Sequence, residues 1–166
     1  MTTLVQITDT HVVERGTLLY GQADTARHLA ETVAEINNIE PRPSAVLITG
    51  DLVEHPGPVT YSHFADLIEP LKMPVYLMPG NHDDRVEMEA VVNHSARISS
   101  EIRVAGWQIL MLDSQVPGEV GGELGSAELD RLDEALAGFE RLTSLAPHDS
   151  KAVAAVATAR PTVSGS

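Results

Sequence analysis

Apolar positions in the first half of the chain follow two alternating rhythms. Leu4 to Thr8, Ala45 to Thr49 and Pro74 to Met78 are short apolar runs, which predict strands, the second of them buried on both faces. Between them, Asp24 to Asn38 places Leu29, Val33 and Ile36 at helical spacing with charged residues on the other face. Glu40-Pro41-Arg42-Pro43 stops that helix, and Tyr61, Phe64, Ala65, Ile68 and Leu71 form a second helical stripe. The order β-α-β-α-β requires crossover helices, so it predicts an α/β fold with parallel strands and helices on the faces of the sheet.

Beyond Asp83 the pattern predicts a short helix to about Val92. Ser99–Val104 and Trp107–Leu112 then flank Ala105-Gly106, which reads as an antiparallel hairpin. Ser126 is expected to cap a last helix carrying Leu129, Leu132 and Leu136, with Gly138 as its stop. Residues 139–166 are mostly Ala, Ser, Thr and Val, with a weak apolar patch at Ala152 to Ala157 and no sustained period. The expected organisation is one domain over 1–138 and a poorly ordered divergent tail over 139–166.

Composition narrows the function classes. The chain has 166 residues, enough for one core, and a formal charge of −13 that repels nucleic acid polymers and anionic membranes. A phosphate substrate would therefore need positive charge from bound divalent metal. The absence of cysteine excludes disulfides, thiolate zinc sites, iron–sulfur clusters and cysteine nucleophiles. No apolar run approaches the roughly 18 residues of a membrane span, and residues 1–10 lack a signal-like apolar segment, so a cytoplasmic protein is expected.

Each of the three parallel strands is followed at once by polar donors: Asp9-Thr10-His11, then Gly50-Asp51-Leu52-Val53-Glu54, then Gly80-Asn81-His82-Asp83. In an open α/β sheet the carboxyl ends of the strands face one crevice, so these groups are expected to converge there. Carboxylate, imidazole and amide together suit Mn²⁺, Fe or Zn²⁺, with Mg²⁺ possible. Gly50 and Gly80 allow the backbone to turn sharply and approach a ligand closely. Glu54, Asp83, Asp84 and Asp113 are expected to support or cap, and His28 and His63 fall on predicted helices, where a solvated or packing histidine is the common case.

The ordered set Asp9-x-His11, Gly50-Asp51-x-x-Glu54 and Gly80-Asn81-His82-Asp83 resembles the calcineurin-like metallophosphoesterase superfamily. Gln6-Ile7-Thr8-Asp9-Thr10-His11, Leu19-Tyr20-Gly21, Met78-Pro79-Gly80 and Leu112-Asp113-Ser114 bring it closer to the bacterial cyclic-nucleotide phosphodiesterases and glycerophosphodiesterases. The resemblance implies two divalent metal ions and a small phosphodiester substrate. It assigns Asp9 and His11 to the first metal, Asp51 to a bridge between both, and Asn81 to the second metal and to substrate. His82 would act on the phosphate, stabilising charge or protonating the leaving oxygen.

Members of that family continue with a His-His-Pro-like motif and later with Gly-His-x-His, and neither occurs here. The expectation is therefore a partial metallophosphoesterase sandwich, truncated or frameshifted near Gly138, with an incomplete second metal site and impaired activity. An apolar face left uncovered would favour self-association, so a homo-oligomer is possible. The alternative is a non-catalytic interaction module that keeps the fold. Against it stand charged residues that are costly to bury without a purpose.

Overall fold

A computed structural model of the chain describes residues 2–92, 96–104, 106–145 and 153–157. The three apolar runs are strands β1 (Leu4–Ile7), β2 (Ala45–Thr49) and β3 (Val75–Met78). Helices α1 (Thr25–Asn37) and α2 (Pro58–Ile68) connect them, and α3 (Arg85–Val92) leads to a two-residue strand β4 (Arg97–Ile98). All pairings in this sheet are parallel and its order is β1-β2-β3-β4, as crossover connections require. The central strand β2 is buried at every position, which explains its unbroken apolar run.

Local chemistry sets the helix starts. Asp24 caps α1 by accepting from the Arg27 backbone N–H at 2.9 Å, and Asp84 does the same for Glu87 at the start of α3. Pro58 opens α2, where its missing N–H costs nothing. Leu29, Val33 and Ile36 of α1 and Tyr61, Phe64 and Ile68 of α2 bury against Val46, Ile48 and Leu77 of the sheet. Leu71 packs at the edge of this core from beyond the end of α2.

The chain divides into two compact units, Met1–Ile98 and Ser99–Ser166. The second holds β5 (Glu101–Val104), β6 (Trp107–Leu112), α4 (Ser126–Leu145) and β7 (Val153–Ala157). β5 and β6 pair antiparallel as a hairpin, and Gly106 just before β6 has φ +85°, a value glycine adopts without strain. Helix α4 begins with Ser126 inside it, and the Gly125 carbonyl accepts from Leu129 N–H at 3.1 Å, so Gly125 takes the capping place expected of Ser126.

Two expectations for the C-terminal side need correction. α4 does not stop at Gly138 but runs to Leu145, because a helical glycine costs only about 1 kcal/mol and Gly138 adopts no left-handed conformation. Val153–Ala157, placed in the expected tail, pairs parallel with β6, completing a β-α-β unit through α4. Of the expected stripe on α4, Leu132 packs with Ala135, Leu110 and Leu112, whereas Leu129 and Leu136 face outward.

Replacing Ile48 by Ala, at a fully buried position in the middle of β2, should destabilise the fold by about 2–5 kcal/mol in urea unfolding. Val86→Ala, at an exposed position on α3, should stay within about 0.5 kcal/mol of the parent.

Candidate metal centre

Donors from the three strand ends converge because the loops that leave the strands remain hydrogen-bonded to one another. Beyond β1 and β2 the ladder continues irregularly: Asp9 N–H donates to Gly50 O at 3.1 Å, His11 N–H to Asp51 O at 2.9 Å, and Val12 N–H to Leu52 O at 3.0 Å. Hydroxyls add to it, Thr8 Oγ1 donating to Thr49 O at 2.8 Å and Thr10 Oγ1 to Leu52 O at 2.7 Å. The backbone departs from strand geometry to present side chains. Asp9, His11 and Asp51 have φ of +55°, +41° and +50°, left-handed values that cost roughly 1–3 kcal/mol each outside glycine.

The third turn is held against the second by Asp83. Its carboxylate is buried and accepts from Gly80 N–H at 2.7 Å, Leu52 N–H at 3.1 Å, Val53 N–H at 3.3 Å and the Tyr61 hydroxyl at 3.2 Å. Burial raises the Asp83 pKa above the ordinary aspartate value, and these four donors oppose the rise. The Tyr61 hydroxyl also accepts from Asp84 N–H at 2.8 Å, and burial followed by the Asp83 charge pushes its own pKa upward. As a result Gly80 lies so near Asp51 that a Cβ there would overlap the Asp51 backbone nitrogen and Oδ1, and would stand 3.0 Å from its Cγ.

Four of the five residues singled out in the sequence are joined by direct contacts. His11 Nε2 lies 3.6 Å from Asp51 Oδ2 and 3.9 Å from Asp9 Oδ1. Its ring meets that of His82 edge to face, with centroids 4.9 Å apart, and His82 N–H donates to Asp51 Oδ1 at 3.2 Å. Ligand atoms of His11, Asp51 and His82 all lie within 4.8 Å of one another. Asn81 sits in the same turn, between Gly80 and His82, partly exposed.

Glu54 orients both imidazoles. His11 Nδ1 is 2.8 Å from Glu54 Oε2, so Nδ1 carries the proton and donates it. His82 Nδ1 is 3.1 Å from the Glu54 carbonyl oxygen and 3.6 Å from Oε2, and a carbonyl only accepts, so this nitrogen is also protonated. Tyr20 donates its hydroxyl to Glu54 Oε1 at 2.9 Å. Burial raises the Glu54 pKa, but the Tyr20 bond, the charge on His82 and the bond and charge from His11 together outweigh it, leaving the carboxyl below its ordinary value.

This tautomer tests whether a metal fits. With Nδ1–H fixed on Glu54, His11 turns its Nε2 toward the Asp51 and Asp9 carboxylates. Nitrogen and carboxylate oxygens thus face one gap, whose negative potential suits a cation. A carboxylate behind a metal-facing histidine is the common arrangement around bound metal, so the donor set fits a divalent ion.

Glu54 thus takes the supporting part expected of it, and Tyr20, part of Leu19-Tyr20-Gly21, contributes a site hydroxyl. The Asp-x-x-Glu spacing was the available signal for Glu54; no local signal connects Tyr20 to it across 34 residues. His63 is a packing histidine, buried and donating to Val13 O at 2.8 Å, while His28 and His55 are exposed. His94 and His148 lie outside the described residues. Asp113 and Ser114 belong to the second unit.

Residues 2–137 match the profile of the calcineurin-like phosphoesterases. The chain belongs to this family. It is 35% identical over 134 residues to a Pseudomonas aeruginosa 3′,5′-cyclic adenosine monophosphate phosphodiesterase, covering 80% of this chain and 49% of that protein. It is 33% identical over 142 residues to a Mycobacterium tuberculosis cAMP/cGMP dual specificity phosphodiesterase, covering 81% and 45%. A probable glycerophosphodiester phosphodiesterase of Arcobacter nitrofigilis is 29% identical over 145 residues, covering 82% and 52%. The chain spans about half the length of these curated relatives. Among the described residues no helix is long and apolar enough to cross a membrane.

Gly80→Ala should push the third turn away from Asp51 and destabilise the fold by about 1–3 kcal/mol in urea. Gly57→Ala, where the nearest atom to a new Cβ is Thr60 Oγ1 at 3.9 Å, is the control and should cost far less.

Proposed function

We infer that the site hydrolyses a phosphodiester with the help of divalent metal, on a small soluble substrate of the cyclic-nucleotide or glycerophosphodiester kind. The observation that carries this reading is the convergence of His11 Nε2 and the Asp51 carboxylate, with His82 beside them, at the carboxyl ends of three parallel strands. Family membership and the names of the three relatives support it.

Asp9 and His11 would hold one metal ion, Asp51 would touch both, and Asn81 would offer its amide oxygen to the second. Bound there, divalent metal supplies positive charge against the phosphate and lowers the pKa of a water nucleophile. The protein's part is orientation. Glu54 fixes the His11 tautomer so that Nε2 faces the carboxylates. His82, anchored through Nδ1–H on the Glu54 carbonyl, keeps Nε2 free to carry a proton toward the leaving oxygen, and the Glu54 carboxylate 3.6 Å from Nδ1 stabilises the imidazolium.

Neither a His-His-Pro-like nor a Gly-His-x-His motif occurs in the sequence, so the second metal position has few donors and turnover by this chain should be weak. The same observation supports the second reading, an interaction module that keeps the family fold.

Calorimetric titration with Mn²⁺ separates the roles: Asp51→Ala should abolish binding and Asp9→Ala should only weaken it, by roughly 10- to 100-fold. Equal losses would remove the bridging role. Metal binding without turnover of bis(p-nitrophenyl) phosphate would indicate a crippled hydrolase, and absence of both would favour the module.

A further inference from the structure

Helix α2 is buried on more than one face. Thr60, Tyr61, His63, Phe64, Ala65 and Ile68 are all removed from solvent, a wider burial than the single apolar stripe by which a surface helix packs on a sheet. Two of these side chains carry polar groups that packing alone does not require. Tyr61 and His63 stand two positions apart, roughly 200° around the helix axis, so they reach different neighbours.

Tyr61 reaches the turn after β3. Its hydroxyl donates to Asp83 Oδ1 at 3.2 Å and accepts from Asp84 N–H at 2.8 Å. Those two residues directly follow His82, whose N–H is on Asp51 Oδ1 at 3.2 Å and whose Nδ1 is on the Glu54 carbonyl at 3.1 Å. His63 reaches the loop after β1. Its Nδ1 donates to Val13 O at 2.8 Å, since a carbonyl only accepts. Val13 follows His11 closely and adjoins Val12, which donates to Leu52 O and accepts from Glu54 N–H, each at 3.0 Å.

The two anchors lie on either side of one segment. Asp51–Glu54 is hydrogen-bonded to the loop after β1 through Asp51 O and Leu52 O, and to the turn after β3 through Leu52 N–H and Val53 N–H. Soon after Glu54 the chain enters α2 at Pro58, and the helix closes back on both of those neighbours. The His11 and His82 rings, whose centroids are 4.9 Å apart, therefore belong to two loops tied to a single rigid element.

We propose that α2 is the brace that sets how the two imidazoles stand to one another, with Tyr61 and His63 as positioning residues that hold the turn after β3 and the loop after β1. Neither touches the metal donors. Each acts through the backbone beside a histidine, as support for a site must when its geometry has to be held closely. The brace deepens the metal-assisted reading above and rests on it for its consequence, metal affinity, whereas the placement of the rings stands without metal.

The test uses the whole chain. Tyr61→Phe removes the hydroxyl and keeps the ring, and His63→Leu removes the donor. Phe64→Leu, on the same helix and with no polar group to lose, is the control for loosened packing. Each variant is followed by urea unfolding, by the His11 and His82 ring signals in NMR of the metal-free chain, and by calorimetric titration with Mn²⁺. Tyr61→Phe should move the His82 signal and His63→Leu the His11 signal, each with about tenfold weaker Mn²⁺ binding. Phe64→Leu should lower the urea midpoint and leave signals and affinity in place. His63→Gln, whose amide can donate to Val13 O, should bring the His11 signal and the affinity back toward the parent. Where Tyr61→Phe does not fold, the His63→Leu and His63→Gln pair decides.

Unmoved ring signals in Tyr61→Phe or His63→Leu would overturn the brace. So would signals that move as far in Phe64→Leu at an equal loss of stability, because the effect would then belong to the fold as a whole. Moved signals with parent-like Mn²⁺ affinity would overturn it too, since the rings so placed would not serve metal. If the parent itself binds no Mn²⁺, the hydrolytic reading fails, and the ring signals alone uphold or refute the brace.

Discussion

The buried carboxylate of Asp83 is the constraint on which the site depends. A charge removed from water costs several kcal/mol unless its lone pairs are satisfied. Here three backbone N–H groups and one phenol hydroxyl satisfy them, drawn from the turn after β2, the turn after β3 and helix α2. None of these donors can leave without exposing the others to a poorly compensated charge. The arrangement therefore locks two turns together that share no strand pairing at that level, and it brings Gly80 to a distance from Asp51 that only glycine allows.

That closeness has consequences for chemistry. Left-handed backbone at Asp9, His11 and Asp51 stores conformational energy that the hydrogen-bonded loops and the Asp83 lock must offset. In exchange, carboxylates and imidazoles are held facing one another before any ligand arrives. Glu54 then gives direction, fixing a proton on the Nδ1 of both histidines, so that the opposite ring nitrogens are the ones left for metal or substrate. A preorganised donor set of this kind contributes most where charge must be stabilised without reorganisation.

The acidic character of the chain fits this picture. A protein of formal charge −13 belongs to a phosphoesterase family although its own charges repel phosphate. Divalent metal, which the family generally uses, would resolve the contradiction, because carboxylates that repel an anion attract the cations that bind it.

Local pattern was enough to locate most of the first unit. Short apolar runs marked β1, β2 and β3, helical spacing marked α1 and α2, and the polar residues after each strand marked Asp9, His11, Asp51 and His82, which lie in contact with one another. Those features follow from backbone periodicity and from the direction of parallel strands, both written in neighbouring residues. Other features depend on partners far along the chain. β4 and β7 exist through pairing with β3 and β6, and α4 passes Gly138 because one unfavourable residue does not outweigh a continuing helix. The lock at Asp83, the phenol of Tyr20 on Glu54 and the outward turn of Leu129 and Leu136 are equally invisible to spacing. The sequence by itself determined which elements form and which ends carry donors. Tertiary structure alone decided which donors meet and which imidazole nitrogen faces the carboxylates, because burial and hydrogen-bond satisfaction are properties of the assembled interior.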